Sequence, residues 1–192
     1  MNLPNKLTLF RIILVPVIIL VWLLNIPNVT ITLLASEIEV SKFICALLFI
    51  VASITDLLDG QIARRNNLVT TFGKFMDPIA DKMLVNTILV LLCYDQMIPV
   101  LCVILMIGRD LIVDGVRLLA AQKQIVMAAG PLGKLKTILQ MIAIPVIMVN
   151  NFPVGWLPID AGLIFIIAAT IVSVVSGYDY FIKNKDMIFE SI

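Results

Sequence analysis

Apolar residues are grouped along this chain into six long runs, separated by short polar breaks or by breaks that contain proline or glycine. Each run is close to the roughly 20 residues that a helix needs to cross a bilayer. The runs are Leu7–Leu24, Val40–Ile62, Phe72–Leu92, Ile98–Ala120, Leu135–Val149 and Ala161–Ile182. The pattern predicts an all-α integral membrane protein, in which six transmembrane helices form a single bundle domain over residues 1–192. We expect the first run to be retained as a helix rather than removed as a signal peptide.

Composition supports the membrane class and narrows the chemistry. The chain is 61% hydrophobic and 14% charged, whereas about a quarter of the residues in a soluble domain are charged. It contains no histidine, which excludes a Ser-His-Asp triad and any histidine-ligated metal. The three cysteines show no C-x-x-C spacing and predict neither a zinc site nor a disulfide framework. The net charge of +1 gives no reason to expect a nucleic acid partner.

Basic residues are concentrated on alternate breaks between the apolar runs. Most of them, including Arg11, lie in or next to the N-terminus, the second and fourth breaks or the C-terminus, and Lys42 is an exception on the opposite side. Because Lys and Arg accumulate in cytoplasmic loops, we predict a protein of the cytoplasmic (inner) membrane with both termini in the cytoplasm. The connection between the second and third runs is then cytoplasmic as well.

Four aspartates flank that cytoplasmic connection. Asp56 and Asp59 are three residues apart at the end of the second run, and Asp77 and Asp81 are four residues apart near the start of the third. Residues at these spacings share one face of a helix, so two antiparallel helices can each present two carboxylates to the other. The glycines on the same faces are Gly60 and Gly73, and we expect them to keep the space between the carboxylates free of other side chains.

Four facing carboxylates repel one another unless positive charge neutralises them. An all-oxygen ligand set without histidine or clustered thiolates indicates Mg²⁺ or Mn²⁺, with Ca²⁺ as a further candidate. The number of carboxylates suits two divalent metal ions about 4 Å apart, an arrangement used for displacement at phosphorus. The alternative is a solvated rim in which the aspartates pair with nearby Lys and Arg, but the shared register with glycines favours the metal site.

The spacing of these residues also resembles the signature of the CDP-alcohol phosphatidyltransferase family. The matching pattern is Asp56-x-x-Asp59-Gly60-x-x-Ala63-Arg64, eight residues, and then Gly73-x-x-x-Asp77-x-x-x-Asp81. The resemblance extends to the six-helix layout. It implies that Asp56, Asp59 and Asp77 hold the metals, that Asp81 contributes at the edge of the metal site, and that Asp81 is also the general base. It implies contacts with the CDP group for Gly60, Arg64, Thr70, Asn5 and Thr8. It further implies a homodimer.

A second group of charges suggests where an acceptor binds. Arg109 and Arg117 are eight residues apart on roughly one face of the fourth run, and Lys134 and Lys136 follow across the next break. Clustered Arg and Lys are natural phosphate ligands, although cytoplasmic loops also carry such residues for topology. The region resembles the branch of the family that uses glycerol 3-phosphate. The resemblance implies transfer of a phosphatidyl group from CDP-diacylglycerol to glycerol 3-phosphate, with release of CMP.

Three alternatives stay open at this stage. The same chemistry could serve another acceptor: inositol phosphate, serine or phosphatidylglycerol. A small cation or proton transporter is a different class, but its carboxylates are expected near the bilayer midplane on several helices. A membrane scaffold without catalytic activity would give no reason for the spacing of the aspartates.

Overall fold

The structure is a computed structural model that describes residues 2–24, 29–33, 36–65, 70–123, 130–153, 155 and 158–185. For residues 3, 33, 57–65 and 74 it describes the backbone but not the side chain. Six α-helices and one β-hairpin lie within these residues. The helices are α1 (Leu3–Leu24), α2 (Val40–Arg65), α3 (Thr71–Tyr94), α4 (Val100–Gln122), α5 (Pro131–Met148) and α6 (Ala161–Lys183). The hairpin consists of β1 (Thr30–Leu33) and β2 (Ser36–Glu39). Each predicted apolar run therefore corresponds to one helix.

The hairpin corrects the all-α prediction. Strands β1 and β2 pair antiparallel between α1 and α2, with Ile31 opposite Ile38. Strand β1 alternates polar and apolar residues, whereas the only apolar residue of β2 is Ile38, which is almost fully buried. A four-residue alternation is too short to stand out beside apolar runs of about 20 residues. The sequence does not predict the hairpin, because each strand is stabilised by pairing with the other and neither segment alone carries a signal for that pairing.

Local signals determine where the helices that form the site begin. Thr70 is the N-cap of α3, and its hydroxyl accepts a hydrogen bond of 3.0 Å from the Gly73 amide. Such a cap satisfies one of the amides that the first turn leaves without a partner. Helix α5 begins at Pro131, four residues before the predicted start, because proline is compatible with the first helical position. Lys134 therefore lies in the first turn of α5 rather than in a loop.

The helices pack as two groups of three. Helix α1 packs against α2 and α3, α6 packs against α4 and α5, and contacts of α2 with α5 and of α3 with α4 join the groups. Large apolar side chains fill the interior, including Ile18, Phe49, Ile88, Leu89, Met106, Ile144 and Ile166. Many others are exposed on the outside of every helix, among them Ile13, Leu20, Leu101, Leu111 and Ile171. An apolar exterior of this extent suits a surface that faces lipid.

Three helices are long and apolar enough to cross a membrane, judged by length and composition within the described residues. They are Pro4–Leu24, Pro131–Met148 and Ala161–Lys183. Six such spans were predicted from the apolar runs. Helices α3 and α4 are as long but contain more ionisable residues, which include Asp77, Asp81 and Lys82 in α3 and Arg109, Asp110, Asp114 and Arg117 in α4. These charged residues are the ones that line the site described next.

Candidate active site

A fully buried arginine, Arg11 of α1, lies between two of the predicted aspartates. Its guanidinium forms an ion pair with Asp56 of α2, and its Nη2 lies 3.6 Å from Oδ1 of Asp77 on α3. A buried charge is costly unless it is paired, and here carboxylates from two helices supply the pairing. Asp56 and Asp77 therefore face the same point, as their register on the two helices predicted.

The polar face of α1 that carries Arg11 also carries two residues predicted to contact CDP. Asn5, Thr8 and Arg11 follow one another at three-residue spacing and are all buried. The Thr8 hydroxyl hydrogen-bonds to the Asp77 carboxylate and lies 3.1 Å from the carbonyl oxygen of Pro4. The structure thus brings Asn5 and Thr8 to the aspartates, on the side where α1 packs against α3.

Gly73 permits this close packing of α1 on α3. A Cβ atom at position 73 would lie 3.1 Å from Oδ1 of Asn5, 3.3 Å from the hydroxyl oxygen of Thr70 and 3.7 Å from Oδ2 of Asp77. The Thr70 hydroxyl, which caps α3, donates a hydrogen bond of 2.9 Å to that Asn5 oxygen. The space beside Gly73, which we expected to be free of side chains, is therefore filled by Asn5 and Thr70.

Asp81 connects two different environments. With Asp56 it lines a groove of about 380 Å³ between α2 and α5. The groove is otherwise mainly apolar, with Phe49, Ile50, Ile54, Ile138, Met141 and Ile142 in its walls. Asp81 also lines a polar cavity of about 390 Å³ enclosed by α3, α4, α5 and α6. One carboxylate is therefore accessible from an apolar groove and from a polar cavity.

Part of the predicted site lies outside the described side chains. Asp59, Gly60 and Arg64 belong to α2, but only their backbone is described. Among the described side chains, no three acidic or cysteine residues are grouped closely enough to hold one metal ion. The carboxylates of Asp56 and Asp77 nevertheless converge on one cationic group, Arg11, and their oxygen donors are the kind that Mg²⁺ and Mn²⁺ prefer.

The polar cavity brings together all four residues predicted to bind an acceptor phosphate, and we call it the basic cavity. Its basic lining residues are Lys82, Arg109, Arg117, Lys134 and Lys136. Their surroundings differ. Lys82 forms an ion pair with Asp114 of α4, and Lys134 is exposed in the first turn of α5. The N-cap residue of that helix, Gly130, lines the cavity and offers no side-chain cap. The uncapped start of a helix is favourable for an anion.

Asp110 holds two of these cations. The Lys136 ammonium lies 2.7 Å and 2.6 Å from the two Asp110 oxygens, and only 4% of Lys136 is exposed. Nη1 of Arg109 lies 3.1 Å from the same carboxylate, and Nη2 of Arg109 donates a hydrogen bond of 2.7 Å to the hydroxyl of Ser176 on α6. Lys136 is therefore a buried partner of Asp110 in the cavity wall rather than an open ligand.

Arg117 is paired differently. Its Cζ atom lies 5.8 Å from the centre of the Tyr180 ring of α6, a distance at which an aromatic ring attracts a cation. Its Nε atom is buried without a hydrogen-bond partner among the described residues. Within that part of the chain no ion pair to a carboxylate is found for Arg117 either, so this guanidinium retains the capacity to bind an anion.

Sequence reasoning overlooked three residues of this site: Arg11, Ser176 and Tyr180. Arg11 was interpreted only as a topology-determining charge, although its three-residue spacing from Thr8 was available as a signal. Ser176 and Tyr180 lie in the last apolar run, and nothing in the sequence connects them with the arginines of α4. Only the packing of α6 on α4 brings these residues together.

Comparison with known proteins identifies the family to which the chain belongs. The family model for CDP-alcohol phosphatidyltransferase matches residues 1–175. Relatives named CDP-diacylglycerol–glycerol-3-phosphate 3-phosphatidyltransferase include one from Bacillus subtilis (strain 168), 41% identical over 95% of both chains. Relatives of the same name come from Rickettsia typhi (38% identical over 94% of this chain and 95% of the relative) and Escherichia coli K12 (36% over 88% of both). This chain therefore belongs to the CDP-alcohol phosphatidyltransferase family, as the pattern of aspartates predicted.

Proposed function

We propose that this protein transfers the phosphatidyl group of CDP-diacylglycerol to glycerol 3-phosphate, forming phosphatidylglycerol phosphate and CMP. The observation that carries the proposal is the position of Asp81, which lines both the groove that begins at the aspartates and the cavity that contains the basic residues. A lipid-linked diphosphate and a phosphorylated alcohol can approach this carboxylate from different sides. The names of the relatives support the same pair of substrates.

The donor lipid is assigned to the acidic side of Asp81. The groove between α2 and α5 has aspartates at one end and apolar walls along the rest, which suits a molecule with a charged headgroup and an acyl chain. We assign the nucleotide headgroup to the cytoplasmic end of α2 and to the polar face of α1. In this proposal Asn5, Thr8 and Thr70 shape the headgroup site together with Gly60 and with Arg64, of which only the backbone is described.

Two divalent ions, Mg²⁺ or Mn²⁺, are assigned to Asp56, Asp59, Asp77 and Asp81. The fit rests on the oxygen donors and on the way in which Asp56 and Asp77 already converge on the Arg11 guanidinium. When bound, such ions neutralise the diphosphate and stabilise departing CMP. Arg11 orients the two carboxylates and offsets part of their mutual repulsion at the end of an apolar bundle.

The acceptor is assigned to the basic cavity. Its phosphate is bound by Arg109, Arg117 and Lys134 beside the uncapped start of α5, while Lys136 keeps Asp110 in place. The acceptor hydroxyl then attacks the phosphatidyl phosphorus. One oxygen–phosphorus bond forms, the bond to CMP breaks, and the hydroxyl proton passes to the Asp81 carboxylate, which serves as general base.

The test is an assay of the purified, lipid-reconstituted protein with CDP-diacylglycerol, Mg²⁺ or Mn²⁺ and one acceptor at a time. We expect CMP release and a phosphatidylglycerol phosphate product with glycerol 3-phosphate. Faster CMP release with inositol phosphate, serine or phosphatidylglycerol would replace the acceptor and keep the chemistry. No CMP with any acceptor, together with ion flux in liposomes that is lost in Asp77→Asn, would favour the transporter alternative.

The cellular arrangement forms part of the same proposal. The distribution of Lys and Arg supports a location in the cytoplasmic membrane with both termini and the active site facing the cytoplasm. A water-soluble acceptor and a nucleotide headgroup would both reach the site from that side. We also propose a homodimer, which rests on the resemblance to the family alone.

A further inference from the structure

Helix α6 contacts both arginines of the basic cavity. Ser176 accepts the hydrogen bond from Nη2 of Arg109 at 2.7 Å, and the Tyr180 ring lies 5.8 Å from Cζ of Arg117. Ser176 and Tyr180 are four residues apart and share one face of α6, and Arg109 and Arg117 are eight residues apart on one face of α4. Two successive turns of α6 therefore hold the two arginines that α4 presents to the cavity.

The Arg109 side chain also passes through a narrow slot lined by glycines. A Cβ atom on Gly177 of α6 would lie 2.9 Å from Cγ of Arg109, which is closer than real side chains tolerate. A Cβ atom on Gly133 of α5 would lie 3.4 Å from Nη2 of Arg109. The slot leaves the stem of Arg109 little freedom, and the Ser176 hydroxyl and the Asp110 carboxylate orient its two terminal nitrogens.

We propose that α6 sets the affinity for the phosphorylated acceptor, because Ser176, Gly177 and Tyr180 position the guanidiniums of Arg109 and Arg117. This inference rests on the proposed function, since it takes the basic cavity as the acceptor-phosphate site. Ser176 is a positioning residue: it acts through Arg109 and not on the reacting atoms. Guanidiniums held in one geometry lose less freedom when they bind a phosphate, which favours an acceptor with a phosphate over a plain alcohol.

The same helix offers a matched control. Ser173 lies one turn before Ser176 and is fully buried, but its hydroxyl has no hydrogen-bond partner among the described residues. If α6 served only to pack the bundle, removing either hydroxyl would have the same consequence. If Ser176 positions Arg109, only its removal changes the binding of the acceptor.

The experiment compares Ser176→Ala with Ser173→Ala in the reconstituted enzyme. We expect Ser176→Ala to raise the KM for glycerol 3-phosphate about tenfold, the order expected for losing a hydrogen bond to a charged group. The KM for CDP-diacylglycerol and the kcat at saturating acceptor should stay within about twofold of the wild type, because the substitution changes no contact of Asp56, Asp77 or Asp81. Ser173→Ala should leave all three values unchanged.

A second pair of variants tests the slot without removing a polar group. Gly177→Ala adds a methyl group that must displace Arg109, whereas Gly115→Ala on α4 adds one where no atom lies within 4 Å. We expect only Gly177→Ala to raise the KM for the acceptor. Both variants should keep the thermal unfolding temperature of the wild type to within a few degrees, which separates positioning from misfolding.

The outcomes distinguish this inference from the proposed function. A wild-type enzyme that releases no CMP with glycerol 3-phosphate would overturn the proposed function. An active wild type whose acceptor KM is unchanged in both Ser176→Ala and Gly177→Ala would overturn the inference alone. Equal increases in the KM for both substrates, or an equal effect of Ser173→Ala, would also overturn it, because α6 would then act only through general packing.

Discussion

We call the region of Asp56 and Asp77 around Arg11 the acidic site. The acidic site and the basic cavity differ in the sign of the charge that they leave uncompensated. In the acidic site Asp56 and Asp77 share one buried cation, Arg11. In the basic cavity Asp110 pairs with Lys136, Asp114 with Lys82 and Asp179 with Lys183. Arg117 and Lys134 also line the cavity, and neither has a carboxylate partner in the described part of the chain. One site is therefore suited to cations and the other to an anion, and Asp81 lies between them.

The two sites are nevertheless supported in a similar way. Carboxylates of α2 and α3 are oriented by the buried polar face of α1, and cations of α4 are oriented by α6. Both supporting helices are among those apolar enough to cross a membrane, yet each places polar side chains at buried positions. An apolar helix in this family member thus contributes more than a packing surface, because it determines where the charged groups of its neighbours point.

The largest effect is expected from neutralising the residue that both sites share, Asp81. Asp81→Asn should lower kcat about a hundred- to ten-thousandfold, because the acceptor hydroxyl loses the carboxylate that takes its proton and general base catalysis is worth about 10²–10⁴. Binding of Mn²⁺ should be largely retained, since Asp56, Asp59 and Asp77 stay in place. CMP release and Mn²⁺ titration measure the two effects.

The matched control is Asp179→Asn. Asp179 also lines the basic cavity but pairs with Lys183 at the surface, so turnover should stay close to that of the wild type. If Asp81→Asn turned over like the wild type, Asp81 would not be the base and the two sites would not meet at this residue.

The next prediction concerns the counter-charge of the acidic site. Arg11→Ala leaves the Asp56 and Asp77 carboxylates facing each other without their shared cation, and breaking a buried ion pair costs about 3–5 kcal/mol. We expect a lower thermal unfolding temperature in detergent. If Mn²⁺ supplies the charge that Arg11 provided, added Mn²⁺ should raise that temperature more in the variant than in the wild type.

Lys6→Ala is the control for Arg11→Ala, since Lys6 lies on the same helix but is exposed. It should leave both the unfolding temperature and its response to Mn²⁺ unchanged. Equal increases in both proteins would mean that Mn²⁺ does not replace the charge of Arg11. If Mn²⁺ raised the unfolding temperature of neither protein, the ion would not bind beside Asp56 and Asp77, and the acidic site would lose its assigned role.

In the basic cavity the largest single effect is expected from Arg109→Ala. The KM for glycerol 3-phosphate should rise ten- to a hundredfold, as for the loss of charge-assisted hydrogen bonds worth about 1.5–3 kcal/mol. The KM for CDP-diacylglycerol should change little. Steady-state kinetics with each substrate varied in turn provide the measurement, and equal changes in both KM values would contradict the division of substrates between the two sites.

The sequence was sufficient for features that repeat or lie close together along the chain. Long apolar runs predicted all six helices. The spacing of Asp56 and Asp59 and that of Asp77 and Asp81 predicted that α2 and α3 turn carboxylates toward each other, and Asp56 and Asp77 do converge on one group. The spacing of Arg109 and Arg117 on α4 likewise predicted one basic surface. These inferences succeed because helical periodicity alone decides which residues share a face.

Features that depend on contacts between distant segments could not be predicted. Ser176 looks like any small polar residue of an apolar helix, and its role appears only when α6 packs on α4. Arg11 resembles the basic residues that set membrane topology, and only the packing of α1 against α2 and α3 buries it between carboxylates. Lys136 was expected to bind phosphate, but the structure pairs it with Asp110, a preference that the sequence does not express.

The smallest effect is expected at Thr70, where the structure offers a second explanation for a residue predicted to contact CDP. The Thr70 hydroxyl caps α3 through the Gly73 amide and donates to Asn5. Thr70→Ala should therefore cost about 1 kcal/mol of stability, the usual value for a lost N-cap. Thr70→Ser keeps the cap and should restore the unfolding temperature.

Kinetics then separate capping from substrate contact at this position. If the hydroxyl only caps the helix, the KM for CDP-diacylglycerol stays unchanged in Thr70→Ala and the acidic site retains its full affinity for the donor. If that KM rises severalfold in the alanine variant and returns in the serine variant, the hydroxyl also reaches the nucleotide. The start of α3 would then belong to the donor site as directly as the start of α5 belongs to the proposed acceptor site, and the two regions would resemble each other more closely than their charges indicate.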